Sequence, residues 1–491
     1  MSATFDTKAE AEAWAIATEA RILAGNRVEN IVQDQLAPKT ATACVSAGIT
    51  ALTPATLQFN KCSTERTDLW LSYREACGLR EPTARRKCVT VQGDAMRQVR
   101  ADLGRRLMEH ARNSTTDLSE GVMFNDVSVY TDPKRFEAEM TKLYRGMPVV
   151  ACLSSDLPSP GSFRLFDDVG VPIVLVRGMD NEVRAFLNIC RHRGARLVRE
   201  NQGCKKRFSC RFHGWTYDTK GHAGNVAQEE HFCGAIDEYK KLIPCPAAER
   251  HGLVFVQATP NSTMDIDAHL GSFGPELAKL GLPAHKRVCE QDLHATCNWK
   301  YAYDTYFENY HFSFLHRQSL GPVFINDIML YDAWGPHHRV VYPPRHVEQW
   351  EDSDTLAASY FIFPNTVIYC GALSPDKLFI NLMRMFPVDV GNIITHVETY
   401  GPQALADDPA YKAGAEESLE GIIRLVQDED YDVTSESWKN FLSMPEDSKV
   451  VYGRQELALQ HSHQWFAKAA GYAPPAVAVP ELEGIATSNA A

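Results

Sequence analysis

Two short segments constrain this chain more than any other feature: Cys190-Arg-His192-Arg-Gly194 and Cys210-Arg-Phe-His213-Gly214-Trp215, with seventeen residues between His192 and Cys210. Each segment offers one thiolate and one imidazole. Four such groups share a use when two loops fold to one point around a metal. Thiolates favour zinc or iron–sulfur centres, and imidazole suits zinc and iron alike. A structural Cys2His2 zinc site needs these four residue types. So does a two-iron cluster in which two histidines replace two cysteines on one iron, which raises its reduction potential to about −150 to +300 mV. Gly194, Gly214 and Trp215, which supply tight turns and an aromatic wall, weigh toward the cluster.

The bulk properties narrow the setting. At 491 residues the chain should form about three folding units. Thirteen cysteines are too few for a disulfide scaffold, and an odd count fits a reducing compartment. Most, such as Cys44, Cys77 and Cys289, read as buried fillers. A formal charge of −12 argues against nucleic acid as a partner. No run approaches the roughly 18 apolar residues of a membrane span, and Met-Ser-Ala-Thr-Phe-Asp is not the start of a signal peptide. A cytoplasmic protein with no membrane partner is expected.

Residues 1–115 read as a helical N-terminal extension with amphipathic stretches at Lys8–Ala24 and Asp94–Arg112, closed by a polar joint at 113–117. Residues 145–260 carry short β-rich runs, Val171–Val176, Val183–Leu187 and Leu253–Val256, divided by Gly, Asp and Asn turns, which predict a small antiparallel β domain. Residues 125–144 and 261–470 predict a second domain of helices on an antiparallel sheet. It has a helix at about 299–315, β segments at Ala358–Tyr369, Leu378–Phe386 and Ile393–Tyr400, and helices at about 408–430 and 433–443. The fold class is α+β. A Pro/Ala-rich tail, 471–491, should be loosely held.

A second group of ligand types lies in the second domain: Asp304, Glu308, His311 and His316. Glu308 and His311, three apart, share a helix face. His311 and His316, five apart, stand about 140° apart on a regular helix, so the helix must end or distort if both bind one metal. The spacing is not that of a His-Glu-x-x-His protease. Two histidines and one carboxylate leave open positions on iron, as in non-haem iron oxygenases. The acidic run Asp428-Glu429-Asp430 offers the carboxylate.

These motifs resemble those of the Rieske non-haem iron oxygenases, in particular the catalytic alpha subunits of the aromatic-ring-hydroxylating family. Their cluster loops read Cys-x-His-Arg-Gly and Cys-Pro-Tyr-His-Gly-Trp, and their catalytic domains carry an acid, two residues, a His, four residues and a second His. The chain departs at Arg211, where the family often has Pro. The resemblance runs over about 125–470 and takes in Phe361–Thr366 and Gly453–Glu456 as structural landmarks. It implies that Cys190 and Cys210 bind one iron of a [2Fe-2S] cluster and His192 and His213 the other. It implies that His311, His316 and Asp430, with Asp428 as the alternative, bind a mononuclear non-haem Fe(II). It also implies that Glu308, with Asp304 as the alternative, bridges His311 to His213 of the partner subunit in a head-to-tail homotrimer, with or without a beta subunit.

No Gly-rich dinucleotide fingerprint is present, so a ferredoxin or flavin reductase must supply electrons. Eight basic residues against one acidic between 190 and 213 suggest a docking patch for an acidic donor. The implied activity is that of a terminal oxygenase hydroxylating an aromatic or other hydrophobic small molecule. Oxidative N- or O-demethylation of a methylammonium or methoxy compound is the alternative. Phe307, Tyr310, Phe312, Phe314, Phe361 and Phe363 would suit either substrate. A zinc-stabilised binding protein is the alternative of another class, and colour separates it from a red-brown cluster.

Overall fold

The computed structural model describes residues 94–349, 357–372, 378–445 and 447–479. The chain divides between Arg86 and Lys87 into two units, and every described residue lies in the second. Lys8–Ala24, Cys44 and Cys77 fall outside the described residues.

The stretch expected at Asp94–Arg112 is a helix over Asp94–Asn113. It ends at the polar joint, where Ser114 turns to φ +50° and the Thr115 N–H donates to the His110 carbonyl at 3.0 Å. Its apolar side, Ala101, Leu103 and Leu107, is buried in the same core as Leu330, Val341 and Ile368, and Arg106 pairs with Asp332 at 2.9 Å. This helix therefore packs in one core with strands of the second domain, and the compact unit that holds it begins at Lys87. Among the described residues no helix is long and apolar enough to cross a membrane.

A five-stranded antiparallel sheet runs in the order Pro244–Cys245, Val183–Leu187, Ile173–Arg177, Ser162–Phe166, Gln202–Cys204. A three-stranded sheet, Arg207–Ser209, Thr216–Asp218 and Ala223–Asn225, stands beside it. Their shared core holds Phe163, Phe208, Trp215 and Tyr217 together with Cys190 and Cys210.

The second domain is built on a seven-stranded antiparallel sheet: His285–Ala295, Asn392–Pro402, Leu378–Asp389, Thr366–Ala372, Ala358–Ile362, His337–Val341, Leu330–Trp334. The segment expected at Ala358–Tyr369 is two strands, because Pro364 has no N–H for a ladder and turns the chain. Alternation at period two sorts the sheet into two cores. Val340, Phe361, Val367, Met383 and Val397 face the helices Trp299–Asp304, Tyr431–Phe441 and Leu457–Ala470. Val341, Tyr360, Ile368, Leu382 and Tyr400 face the other way.

The helix expected over 299–315 stops at Asp304, and only a 3-10 turn, Tyr310–Ser313, follows. The expected loose tail is partly held: Val477–Ala478 pairs with Val122 and Met123. Cys289 is half-buried, and Cys204 and Cys233 are exposed, so burial does not describe every non-ligand cysteine.

Candidate metal centres

The two Cys/His loops have one backbone design. In each, the Cys N–H donates to the carbonyl five residues on, Cys190 to Ala195 at 2.8 Å and Cys210 to Trp215 at 2.7 Å. The Gly four residues on returns a bond to the Cys carbonyl, from Gly194 at 3.0 Å and Gly214 at 2.9 Å. Gly194 and Gly214 hold φ +75° and +72°, where a Cβ is penalised. The loops are thus in phase from Cys to Gly, and the histidine sits two residues after one Cys and three after the other.

The structure brings the four expected ligands together. The His192 and His213 rings lie 4.6 Å apart, His192 stacks flat on Trp215 at 5.0 Å, and both cysteines are buried. The His192 Nδ1 is buried without a hydrogen-bond partner among the described residues, as expected of a nitrogen reserved for a metal. Burial pushes the Cys190 thiol up, while the Tyr217 hydroxyl, 3.5 Å away, works against that.

Half of the basic patch is engaged locally. Arg193 lies over Phe212 and reaches the His213 Nε2 at 2.5 Å, Arg191 lies over Tyr239, Arg196 pairs with Asp167, and Lys205 pairs with Glu200. Arg199, Lys206, Arg207 and Arg211 are exposed.

The second centre begins where the helix stops. Asn298 caps Trp299–Asp304, its side chain accepting the Lys300 N–H at 3.1 Å. Glu308 then bends back on the chain. Its Oε2 accepts the backbone N–H groups of Tyr310 and His311, and its Oε1 meets the His311 Nδ1. Side-chain capping of this kind competes with a continuous helix.

The carboxylate arrives from the other end of the domain. The helix Pro409–Leu425 widens into a π turn, Val426–Asp430, before Tyr431–Phe441 resumes α geometry. The Gln427 side-chain amide pins this turn to the backbone of His294, at 2.9 and 3.3 Å. The wide turn lets two consecutive acids reach one imidazole. Glu429 takes the His316 Nδ1 at 2.9 Å, and Asp430 Oδ1 stands 3.2 Å from the His316 Nε2 and 3.5 Å from the His311 Nε2.

Ligand atoms of His311, His316 and Asp430 lie within 4.8 Å of one another. Each histidine donates its Nδ1 proton to a carboxylate, which leaves both Nε2 lone pairs aimed at a common point. The His311 Nε2 is buried and has no hydrogen-bond partner among the described residues. Burial opposes charge on the His311 ring, but Asp430 and Glu308 outweigh it and raise its pKa to about 9. The same field favours a bound cation. The residues therefore fit a divalent iron with open positions.

Of the alternatives, Asp428 is exposed. Asp304 is saturated elsewhere: it accepts from Tyr130 at 2.8 Å and Tyr452 at 3.2 Å and pairs with the His463 Nε2 at 2.8 Å. Sequence reasoning missed Glu429 and Ser319, whose hydroxyl donates to Glu429 at 3.0 Å. Glu456, from the Gly453–Glu456 landmark, also lies within the field of Glu308. Its carboxyl is raised to about 7 by burial, with Glu308 and Asp304 adding to the rise. Phe307, Phe312, Phe361 and Phe363 are buried, whereas Tyr310 and Phe314 are exposed beside Glu308.

Comparison with known proteins finds relatives for both domains. The family described as "Rieske [2Fe-2S] domain" matches residues 147–241, and that described as "Ring hydroxylating alpha subunit (catalytic domain)" matches 283–471. The carnitine monooxygenase oxygenase subunit of Escherichia coli (strain K12) is 25% identical over 276 residues, 55% of this chain and 73% of that protein. The benzene 1,2-dioxygenase subunit alpha of Pseudomonas putida is 31% identical over 183 residues, 36% of this chain and 40% of that protein. A solved quaternary ammonium Rieske monooxygenase in complex with L-carnitine shares the fold with a TM-score of 0.59 and 20% identity, covering 70% of this chain and 96% of that one.

Proposed function

Because the chain belongs to the Rieske non-haem iron oxygenases, as a catalytic alpha subunit with a [2Fe-2S] cluster and a mononuclear iron, we propose that the two sets of converging residues are its ligands. Cys190 and Cys210 take one cluster iron and His192 and His213 the other. His311, His316 and Asp430 take the mononuclear iron. The observation that carries this reading is the paired arrangement of His311 and His316, each tied at Nδ1 to a carboxylate and turned at Nε2 toward Asp430. A cluster held by Cys190, Cys210, His192 and His213 would supply electrons one at a time, and an iron held by His311, His316 and Asp430 would supply the activation of dioxygen.

Glu308 keeps the His311 proton on Nδ1 and stands beside the exposed Tyr310 and Phe314. Phe212, next to His213, is also exposed. Apolar side chains left bare at both centres support a head-to-tail assembly, the expected homotrimer, in which the cluster tip of one copy covers this face of the next. Glu308 would then join the two centres.

An external protein supplies the electrons, and the exposed Arg199, Lys206, Arg207 and Arg211 are the proposed landing site for a ferredoxin or flavin reductase. The substrate is an aromatic or other hydrophobic small molecule that is hydroxylated. The N-demethylating alternative has support in the carnitine enzyme, which this chain matches over 73% of its length, against 40% for the benzene enzyme.

Anaerobically purified protein should be red-brown, with about three irons and two sulfides per chain. His311→Ala or His316→Ala should remove one iron and all activity while the visible spectrum stays. A colourless zinc protein, or loss of colour in those variants, would overturn the assignment.

A further inference from the structure

The sheet face that looks toward the iron ligands is apolar along most of its width, at Val367, Met383 and Val397. It changes at the edge formed by Leu330–Trp334 and His337–Val341. There Tyr331 lies opposite Val340, and His338 lies opposite Phe361, so both side chains share the face of the apolar core. Tyr342 follows Val340 by two residues onto the same face.

Three polar atoms on this edge, the Tyr331 hydroxyl, the His338 Nδ1 and the Tyr342 hydroxyl, are buried and have no hydrogen-bond partner among the described residues. The other His338 nitrogen is occupied, by the hydroxyls of Tyr303 at 2.7 Å and Ser462 at 3.1 Å. Buried polar atoms are rarely left unpaired, and a cluster of them needs an explanation.

Ring contacts lead from this cluster to the proposed iron site. The Tyr342 ring meets Phe312 at 5.3 Å, and Phe312 meets His311 at 5.1 Å and His316 at 5.6 Å. His338 meets Phe307 at 4.6 Å and Tyr331 at 5.6 Å. The Phe312 ring thus stands between Tyr342 and both histidines of the proposed iron site.

Building on that metal assignment, we propose that Tyr331, His338 and Tyr342 form the polar end of the substrate site, and that the substrate carries an oxygen acceptor, a carboxylate or a carbonyl, remote from the carbon attacked. Burial raises both tyrosines well above their ordinary range, so they remain hydroxyl donors, and it lowers His338, so the ring remains neutral. A plain hydrocarbon would leave all three groups unpaired. Sites that hydrogen-bond a substrate discriminate strongly against analogues lacking that group.

The test uses the holoenzyme and measures binding, independent of turnover, through the spectrum of the nitric oxide adduct of the mononuclear iron. Probes are matched pairs differing in a carboxylate: benzoate against toluene, and trimethylammonioacetate against tetramethylammonium. The carboxylate member of at least one pair should bind about tenfold or more tightly than its mate. Tyr342→Phe and Tyr331→Phe should each weaken that binding about tenfold without lowering the melting temperature, since neither hydroxyl has a hydrogen-bond partner among the described residues. Equal affinities within the pairs, preference for the uncarboxylated members, or no binding at millimolar concentration overturns the proposal. So does a lowered melting temperature with unchanged binding, the mark of hydroxyls bridged by structural water. An absent nitric oxide signal in the parent enzyme would instead strike the metal assignment.

Discussion

Glu429→Gln isolates what the second carboxylate does for the proposed iron site. The substitution keeps a carbonyl oxygen that can accept the His316 Nδ1 proton but removes the charge. The bond is 2.9 Å long, to an imidazole only 1% exposed, from a carboxylate that is 30% exposed. A hydrogen bond to a charged group contributes about 1.5–3 kcal/mol, and partial exposure of Glu429 places this one in the lower half, about 1.5–2 kcal/mol. Gln still accepts the proton and forfeits only the difference from a neutral bond of about 0.5–1.5 kcal/mol, so the loss is about 1 kcal/mol and, at about 1.4 kcal/mol per decade, Fe(II) affinity should fall about fivefold. Glu429→Ala should cost more, because Ser319 and His316 both lose their acceptor. The assay is anaerobic competition with an Fe(II) chelator, counting iron beyond the cluster's two. The cluster spectrum is the control, since its loops sit in a separate core. Affinity within twofold of the parent in both variants would refute the claim that Glu429 orients the ring.

Glu308→Gln should retain both metals yet lower turnover at least about 100-fold, because it changes the link between centres more than the iron site; normal turnover with full iron removes the bridge. Charge reversal at Lys206 and Arg211, which have no ion-pair partner among the described residues, should slow cluster reduction about tenfold at low salt, with parent and variant converging at high salt. Unchanged stopped-flow reduction rates would move the donor's landing site elsewhere. Glu398 gives an acid-stability prediction. Burial would raise its carboxyl, but Arg384 at 3.1 Å, Arg164 and Arg287 hold it at about 2. A folded pKa below the unfolded one means stability present in full above about 4.5 and lost as pH falls toward 2, up to about 3 kcal/mol. Glu398→Gln should be less stable at neutral pH, because buried arginines lose their partner, and its urea midpoint should flatten between pH 5 and 2. A slope equal to the parent's would refute the linkage.

How much of this was legible in the sequence depended on whether the deciding interaction was local. The cluster loops could be read because Gly194 and Gly214 must sit four residues after each cysteine to turn the backbone, so the motif carries its geometry with it. His311 and His316 could be paired, because five residues on a helix cannot aim two rings at one point and the helix therefore had to break. Where it breaks was not readable. Aromatic residues from Tyr301 to Phe314 continue the pattern past Asp304, where the helix stops, and the return of Glu308 to the Tyr310 and His311 N–H groups holds the segment beyond it in another conformation. Glu429 was hidden for a related reason. On a regular helix Asp428, Glu429 and Asp430 point about 100° apart, and an acidic run ordinarily faces water. The π turn lets Glu429 and Asp430 grip His316 from its two nitrogens, and it is fixed from outside the run, by Gln427 on His294. The Tyr331, His338 and Tyr342 edge lies further still from local reading. Two residues on paired strands and a third just past a strand end share a face only once the register is known, and their meaning comes from polar atoms left without a partner among the described residues. The proposed ligands were thus visible as chemistry, whereas the groups that orient them, and those that would select the substrate, become visible only through tertiary contacts.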